Sequence, residues 1–496
     1  MSTTTVKTEK AAAVQELSLG SFLKQMEKEY PEQVIRISRP VDPAKFEVSA
    51  ILKHLENLGK FPMLVFEKPK GVNGSTSELP LLSNIYATRE RCAVALGMKP
   101  EQAGMEMSLE YARRLENPIA PVRVERGDAP VKEVVARGDE CDLSKLPIVR
   151  HHEMDPGPYI DMTPVMKHPD EGFYNVAFLR NMYKGPRKLG IHMSPRHNWQ
   201  INRAHEAKGR PTPVCVVVSH HPAFYLGALN VEAYGKDDYA IIGGIAGRPL
   251  RLVASETWGD EFMVPADADL VVEGEIHPGE KEVEAPFGEF TGYYGPQRMR
   301  PVIRVTAITH RRQAMAQHIF VGHRDNWFLG GIPKEGSLYN VIKGVVPTVK
   351  AVHFAASGSC RFNCYISIDK KVPGESKQAA LIAFGNIDFV KNVIVVDADI
   401  DPFNEQEVMF AVATRTQARE SVDIIKNVKG NTLDPSQIDD ILTDKLLIDA
   451  TMPVGKPFAA RIRVPADALK KFPLEDYIEA KRLDVLPTHL DSRRSV

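Results

Sequence analysis

Two acidic residues sit five positions apart in EVEAPFGEFTGYYG, residues 282–295: Glu284 and Glu289. In a regular strand an odd spacing sends them to opposite faces. Pro286 cannot donate to a ladder and Gly288 suits a bulge, so a break between them would turn both carboxylates into one cleft. Two carboxyl groups so placed could divide acid and base work; without the break they are two solvated glutamates on an edge strand. A second stretch, YNVAFLRNM at 174–182, holds Asn175 and Arg180, again five apart. An arginine inside an apolar run needs a partner because an unpaired buried charge is very costly. Glu284 and Glu289 are the natural candidates; a surface arginine on an edge strand is the alternative. In MSPRHNW, 193–199, His197 stands at a helix entry beside backbone N–H groups that favour anions, as a metal ligand or as a packing residue. Asp237 and Asp238 precede YAIIGGIAG and either ligate a cation or cap a helix. HHEMD at 151–155 has metal-like composition but lacks the HExxH spacing, and reads as a solvated or hydrogen-bonded loop.

The elements that must position these groups alternate in type along the chain. SFLKQMEKEY places Phe22, Leu23, Met26 and Tyr30 on one helical face. VIRISRPV, a helix over about 45–59, MLVFEK and two helices in RERCAVALGM and SLEYARRLEN continue an α/β pattern. Residues 117–148 are Pro-rich with short Val-rich strands. From 150 to 320 the texture is mainly β: FYNVAFLRNM, KLGIHM, VCVVVS, LRLVAS, DLVVEGEIH and VIRVTAITH, with one helix from about Asn198 to Lys208. Many short strands with turn signals suggest a barrel or packed sheets. Residues 330–496 return to α/β, with helices in SLYNVIKGVV, ESKQAALIAFGN and DPFNEQEVMFAVATR and strands in NCYISIDK and NVIVVDADI.

Composition narrows the function. Sixty-three Lys and Arg against 64 Asp and Glu give a net charge of −1, which argues against a general nucleic-acid binder. Five cysteines in 496 residues, with no CxxC pair, are buried thiols rather than a disulfide or zinc framework, consistent with a cytoplasmic protein. The first residues lack the apolar core of a secretory leader, and no run approaches the length of a membrane span. Gly243, Gly244 and Gly247 do not make a GxGxxG fingerprint, and no GxSxG elbow or Walker A loop is present. From residues alone the chain is an enzyme-like, multidomain α+β protein with a candidate Arg/Glu/Glu cluster.

Taken in order, NVAFLRN, PRHNW, LVVEGEI followed by EAPFGEFTGYYG, VIVVDADIDPFN with ATRTQ, and LLIDATMP resemble the UbiD family of reversible decarboxylases that use prenylated FMN. The likeness runs from about Phe22 to about Pro453 and is nearest the branch acting on hydroxybenzoic and related aromatic acids. It implies a loose tail at 1–17, an N-terminal α/β domain at 18–125, a central split-β-barrel flavin-binding domain at 126–325, and a C-terminal α/β domain with a linking helix at 326–496. The family's catalytic trio falls on Arg180, Glu284 and Glu289. Its divalent-metal ligands fall on Asn175, His197 and Asp238, where the family usually has Glu, so that Asp237 is a near rival. Arg196 and Lys445 are expected near the cofactor phosphate. The implied cofactors are prenylated FMN, Mn²⁺ or a similar cation, and K⁺.

The resemblance implies non-oxidative decarboxylation of an aromatic or heteroaromatic acid through a covalent flavin adduct, with Glu289 as proton donor and Arg180 and Glu284 in support. Met193, His323 and Arg324 are the expected substrate neighbours; Arg298, Arg300 and Arg304 are further candidates for a second anionic group. The expected partners are the acid and CO₂, a flavin prenyltransferase as cofactor supplier, and further copies of the chain in a dimer or hexamer, with no nucleic acid and no membrane. The alternatives are the same chemistry on an α,β-unsaturated acid or aryl-CoA thioester, a non-catalytic flavin-binding subunit of a carboxylase, and a metal hydrolase built on His151, His152, Glu153 and Asp155.

Overall fold

The structure, a computed structural model, describes residues 16–439, 441–483 and 486. The expected loose tail at 1–17 lies, apart from Glu16 and Leu17, outside the described residues. The chain forms two compact units: one made of residues up to Ile85, Pro118–Gly288 and Pro296–Phe320, the other of Tyr86–Asn117, Glu289–Gly295 and the chain from Val321.

The first unit opens with the helix Leu19–Glu29, capped by the Ser18 side chain and burying Leu19, Phe22, Leu23 and Met26, the face its periodicity predicts. A small sheet follows, in the order Val34–Ile37, Met63–Phe66, Leu81–Ser83 and Ala316–Gln317. The centre of the unit is a closed barrel of six antiparallel strands. Around it run Thr212–Ser219, Leu270–Ile276, Arg298–His310, Lys188–Ile191, Leu179–Gly185 and Tyr159–Lys167, and the last pairs back to the first through Cys215 opposite Val165. Closure leaves these six strands without free edges. The run read as one strand, FYNVAFLRNM, is two: Tyr174–Val176 and Leu179–Gly185, broken at 177–178. Both lie along Tyr159–Lys167, with Asn175 opposite Met166 and Arg180 opposite Asp161.

In the second unit a five-stranded sheet runs in the order Val349–Phe354, Asn363–Ile368, Asn392–Asp397, Leu442–Ala450 and Val422–Lys429. The three inner strands are nearly wholly buried or half-buried, as strands covered on both faces are. The 20-residue helix Arg324–Lys343 packs on Met105–Leu115. Its Glu335, fully buried, takes a bidentate pair from Arg89 and accepts hydrogen bonds from Ser108 and His353. All five cysteines are free and buried. Among the described residues no helix is long and apolar enough to cross a membrane.

Gly274 marks where the barrel tolerates no side chain. The register between Leu270–Ile276 and Arg298–His310 shifts between Glu273 and Gly274. A Cβ on Gly274 would lie 2.4 Å from Ile303 Cγ2 and 2.6 Å from the Arg304 carbonyl oxygen. Backbone cannot yield as a flexible side chain can, so Gly274→Ala is expected to lower stability by about 1–3 kcal/mol. Thermal unfolding of the variant, with a melting temperature below that of the wild type, checks this.

Candidate active site

Arg180 and Glu284, 104 residues apart in sequence, meet inside the first unit. Arg180 Nε donates to Glu284 Oε1 and Nη2 to Oε2, both at 2.8 Å. This fork-on-carboxylate geometry is the strong form of the pair. Arg180 is 7% exposed and Glu284 0%, so water does not compete for either. The Phe287 ring lies 4.9 Å from the guanidinium carbon and adds a cation–π contact. Burial alone would raise the Glu284 carboxyl; the neighbouring His192 together with the hydrogen bonds and charge of Arg180 overcome it and hold the group at about 2. Glu284 is therefore an anion at neutral pH.

His192 was not singled out from sequence, although its neighbour Met193 was. Its Nδ1 accepts from Arg180 Nη2 at 3.0 Å and from Arg300 Nε at 3.3 Å, and stands 3.5 Å from Glu284 Oε2. A nitrogen facing two guanidinium donors carries no proton of its own, which assigns the tautomer. Burial, Arg180 and Arg300 push the imidazole below its ordinary value while Glu284 opposes them. Arg300, named from sequence only as a neighbourhood candidate, is thus brought to this cluster. Met193 itself is buried.

Asp161 was also missed. It lies opposite Arg180 in antiparallel register, so the two side chains share a face. Its Oδ2 is 3.2 Å from His151 Nε2, which is 3.2 Å from His318 Nε2; His318 Nδ1 is 2.9 Å from Ser83 Oγ. Complete burial lifts the Asp161 carboxyl well above its ordinary range.

Asn175, His197 and Asp238 gather around the short strand Tyr174–Val176. His197 Nδ1 is 3.1 Å from Asn175 Oδ1, and Asp238 Oδ2 accepts the Val176 N–H at 2.7 Å. Asp237 is spent differently: Oδ1 caps the helix Asp238–Ala246 by accepting from Tyr239 and Ala240, and Oδ2 accepts from Tyr174. An amide oxygen, an imidazole and a carboxylate are a donor set that suits a hard or borderline divalent cation. Burial pushes the Asp238 carboxyl up to about 8, and a cation beside it would bring it down again. The residues present fit the group. Arg196 is exposed at the N-terminus of the helix His197–Glu206.

Other residues nominated from sequence have protein partners of their own. Lys445, expected near a phosphate, is 0% exposed and donates to the carbonyls of Val390 and Asp388, at 2.5 and 3.1 Å. Its ammonium serves the sheet of the second unit. His323, expected near substrate, is 1% exposed and accepts the Asp325 N–H as N-cap of Arg324–Lys343. Arg324 lies 4.6 Å over the Phe328 ring and donates to the Ala87 carbonyl. Among the described residues, those of HHEMD included, no three His, Cys, Asp or Glu form a metal cluster. Glu289 belongs to the second unit, is 9% exposed, and opens a turn in which its N–H donates to Tyr293 O.

The depressed Glu284 carboxyl makes the pair a pH-dependent source of stability. The contribution is whole above the ordinary carboxylate value of 4.5 and is lost as the pH falls toward about 2. Arg180→Ala leaves a buried, unpaired carboxylate, and is expected to cost about 3–5 kcal/mol at pH 7. Urea unfolding of both proteins at pH 7 and pH 3 should show the difference narrowing at the lower pH.

Comparison with known proteins agrees over most of the chain. The family descriptions 3-octaprenyl-4-hydroxybenzoate carboxy-lyase N-terminal domain, Rift-related domain and C-terminal domain match residues 25–109, 122–324 and 327–450. The chain is 31% identical over 451 residues to a phenolic acid decarboxylase of Sedimentibacter hydroxybenzoicus, covering 88% of this chain and 92% of that one. It is 30% identical over 388 residues to an anhydromevalonate phosphate decarboxylase of Methanothermobacter thermautotrophicus, covering 77% and 88%. The UbiD-class enzyme HmfF from Pelotomaculum thermopropionicum, solved in complex with FMN, superposes with a TM-score of 0.84 at 40% identity, covering 93% of this chain and all of that one. An evolved dimeric form of the same enzyme, solved with prFMN, gives 0.82 at 38% identity, over 93% of this chain and all of that one. The chain belongs to the UbiD family of decarboxylases.

Proposed function

We propose that this chain is a prenylated-FMN-dependent decarboxylase of an aromatic or heteroaromatic carboxylic acid, with 18–125, 126–325 and 326–496 as its N-terminal, flavin-binding and C-terminal parts. The observation that carries the reading is the buried, bidentate Arg180–Glu284 pair, in a chain whose relatives include proteins named phenolic acid decarboxylases. Prenylated FMN, when bound, supplies the electron sink that loss of CO₂ from an unsaturated carbon requires. Asn175, His197 and Asp238 would hold Mn²⁺ or a similar cation, which would supply positive charge for the cofactor phosphate, and Arg196 would add to it.

The chain's own residues do the rest. Glu284, ionised at neutral pH, cannot give up a proton, and it fixes the guanidinium of Arg180 in one orientation. Arg180 presents a positive charge in a site with little water, where it orients a substrate carboxylate more strongly than in solution. The proton that replaces CO₂ must come from another acid, and Glu289 takes that role. His192, with Nδ1 turned to Arg180 and Arg300, keeps both guanidinium groups on the cluster. The relative named for anhydromevalonate phosphate favours, as a second reading, the same chemistry on an α,β-unsaturated acid.

Holoenzyme produced together with a flavin prenyltransferase is expected to release CO₂ from members of a panel of aromatic acids and to catalyse H/D exchange at the carboxyl-bearing carbon. Glu289→Gln and Arg180→Ala should each lower kcat by about 10²–10⁴-fold. Undiminished activity in either variant rejects the assigned role, and activity confined to non-aromatic unsaturated acids selects the second reading. For the metal set, Asp238→Asn keeps an acceptor for Val176 but should weaken Mn²⁺ binding at least about tenfold. Asp237→Ala should bind Mn²⁺ normally and lose about 1 kcal/mol of stability with its cap. Titration calorimetry and thermal melts separate the two; Mn²⁺ binding by Asp238→Asn equal to that of the wild type removes Asp238 from the set.

A further inference from the structure

The HHEMD segment, residues 151–155, holds no metal cluster, yet its polar groups are not solvated. Asp155 is 0% exposed and its two oxygens are spent on two backbone amides: Oδ1 accepts from Gly288 at 3.0 Å and Oδ2 from His152 at 2.8 Å. The Asp155 N–H returns to the His152 carbonyl, and Arg150 Nε donates to the Asp155 carbonyl. The His152 ring stacks on Phe320, centroids 5.4 Å apart and planes 17° from parallel. That ring lies where a side chain on residue 288 would go: a Cβ on Gly288 would be 2.2 Å from His152 Nδ1. Phe287 is enclosed in the same way, 4.5 Å from the Tyr159 ring and 5.9 Å from His151, with Arg180 over its face.

These contacts converge on Phe287 and Gly288, in the stretch that follows the strand bearing Glu284 and precedes Glu289 in sequence. Pro286 has no N–H to anchor it. A carboxylate on the Gly288 amide and a ring against its α-carbon hold a segment that would otherwise be free to pivot about the break. We propose that Asp155 and His152 are positioning residues: they clamp the backbone at Gly288, the residue that immediately precedes the second acid in the chain. The glycine is required because His152 occupies the space of its side chain. The inference rests on the reading of Glu284 and Glu289 as the two working acids.

The test separates the clamp from the reaction. Hydrogen–deuterium exchange of the full chain, followed on peptides covering 284–290, should be faster in Asp155→Ala than in the wild type, with the barrel peptides at 212–219 and 270–276 unchanged. In holoenzyme, Asp155→Ala and Gly288→Ala should each lower kcat by about 10- to 100-fold, as small misplacements of reacting groups do, with KM and the flavin absorption spectrum held. Removing the obstructing ring should relieve the glycine: His152→Ala/Gly288→Ala is expected to match His152→Ala alone in kcat and in melting temperature, whereas Gly288→Ala alone falls below both. Unaltered exchange at 284–290 in Asp155→Ala, or a double variant no better than Gly288→Ala, overturns the clamp. Exchange and melting decide this even for a wild type that decarboxylates no acid offered, in which case the proposed activity fails and the clamp stands or falls separately.

Discussion

A guanidinium and a carboxylate withdrawn from water impose a heavy condition on the rest of the first unit. Desolvating each ion costs several kcal/mol, and the mutual attraction repays this only with close geometry and every remaining donor engaged. The barrel meets the condition by closing. Arg180 comes from Leu179–Gly185, and Glu284 from Lys281–Glu284, which pairs with Arg298–His310. Two polar groups border the pair: His192, whose Nδ1 faces Arg180 and Arg300, and Asp161, on the same face as Arg180, whose carboxyl burial raises well above its ordinary range. Among the glutamates of EVEAPFGEF, Glu284 is the one committed to ionisation by its partner.

Much of this was visible in the residues. Arg180 within an apolar run demanded a counter-ion, and the structure supplies it from the stretch nominated for it. Most barrel strands declared themselves by apolar runs between turn residues. Tyr159–Lys167 did not, because Pro164 argues against an inner strand; yet it is the strand that closes the barrel. The helix Asp238–Ala246 was obscured by its glycines, two of which are buried; one of them, Gly243, lets the Ile119 carbonyl approach to where a Cβ would be 2.6 Å away. His192 and Asp161 carried no signal in sequence, since a single polar residue in a buried strand does not reveal which distant strand will face it.

Composition and role also part company elsewhere. HHEMD has the residues of a metal site and none of the geometry, while Asn175, His197 and Asp238, scattered over 64 positions, come together around one three-residue strand. Asp237 and Asp238 are adjacent and chemically alike. Helix geometry separates them: the first, at the cap, spends its oxygens on amides, and the second, one residue further in, uses one oxygen on Val176. Lys445 shows the reverse case, a cation in a recognisable motif whose charge is absorbed by the carbonyls of Val390 and Asp388.

The five cysteines give the molecule a quiet surface. Each is buried, and burial pushes the thiols of Cys92 and Cys360 up to about 12 and raises those of Cys141, Cys215 and Cys364 as well. Thiolate, the form that reacts with maleimides, haloacetamides and oxidants, is therefore scarce at neutral pH. A cysteine introduced at an exposed position would be the preferred target of such reagents. Spin labels or fluorophores could be attached there without first stripping the native thiols from the chain.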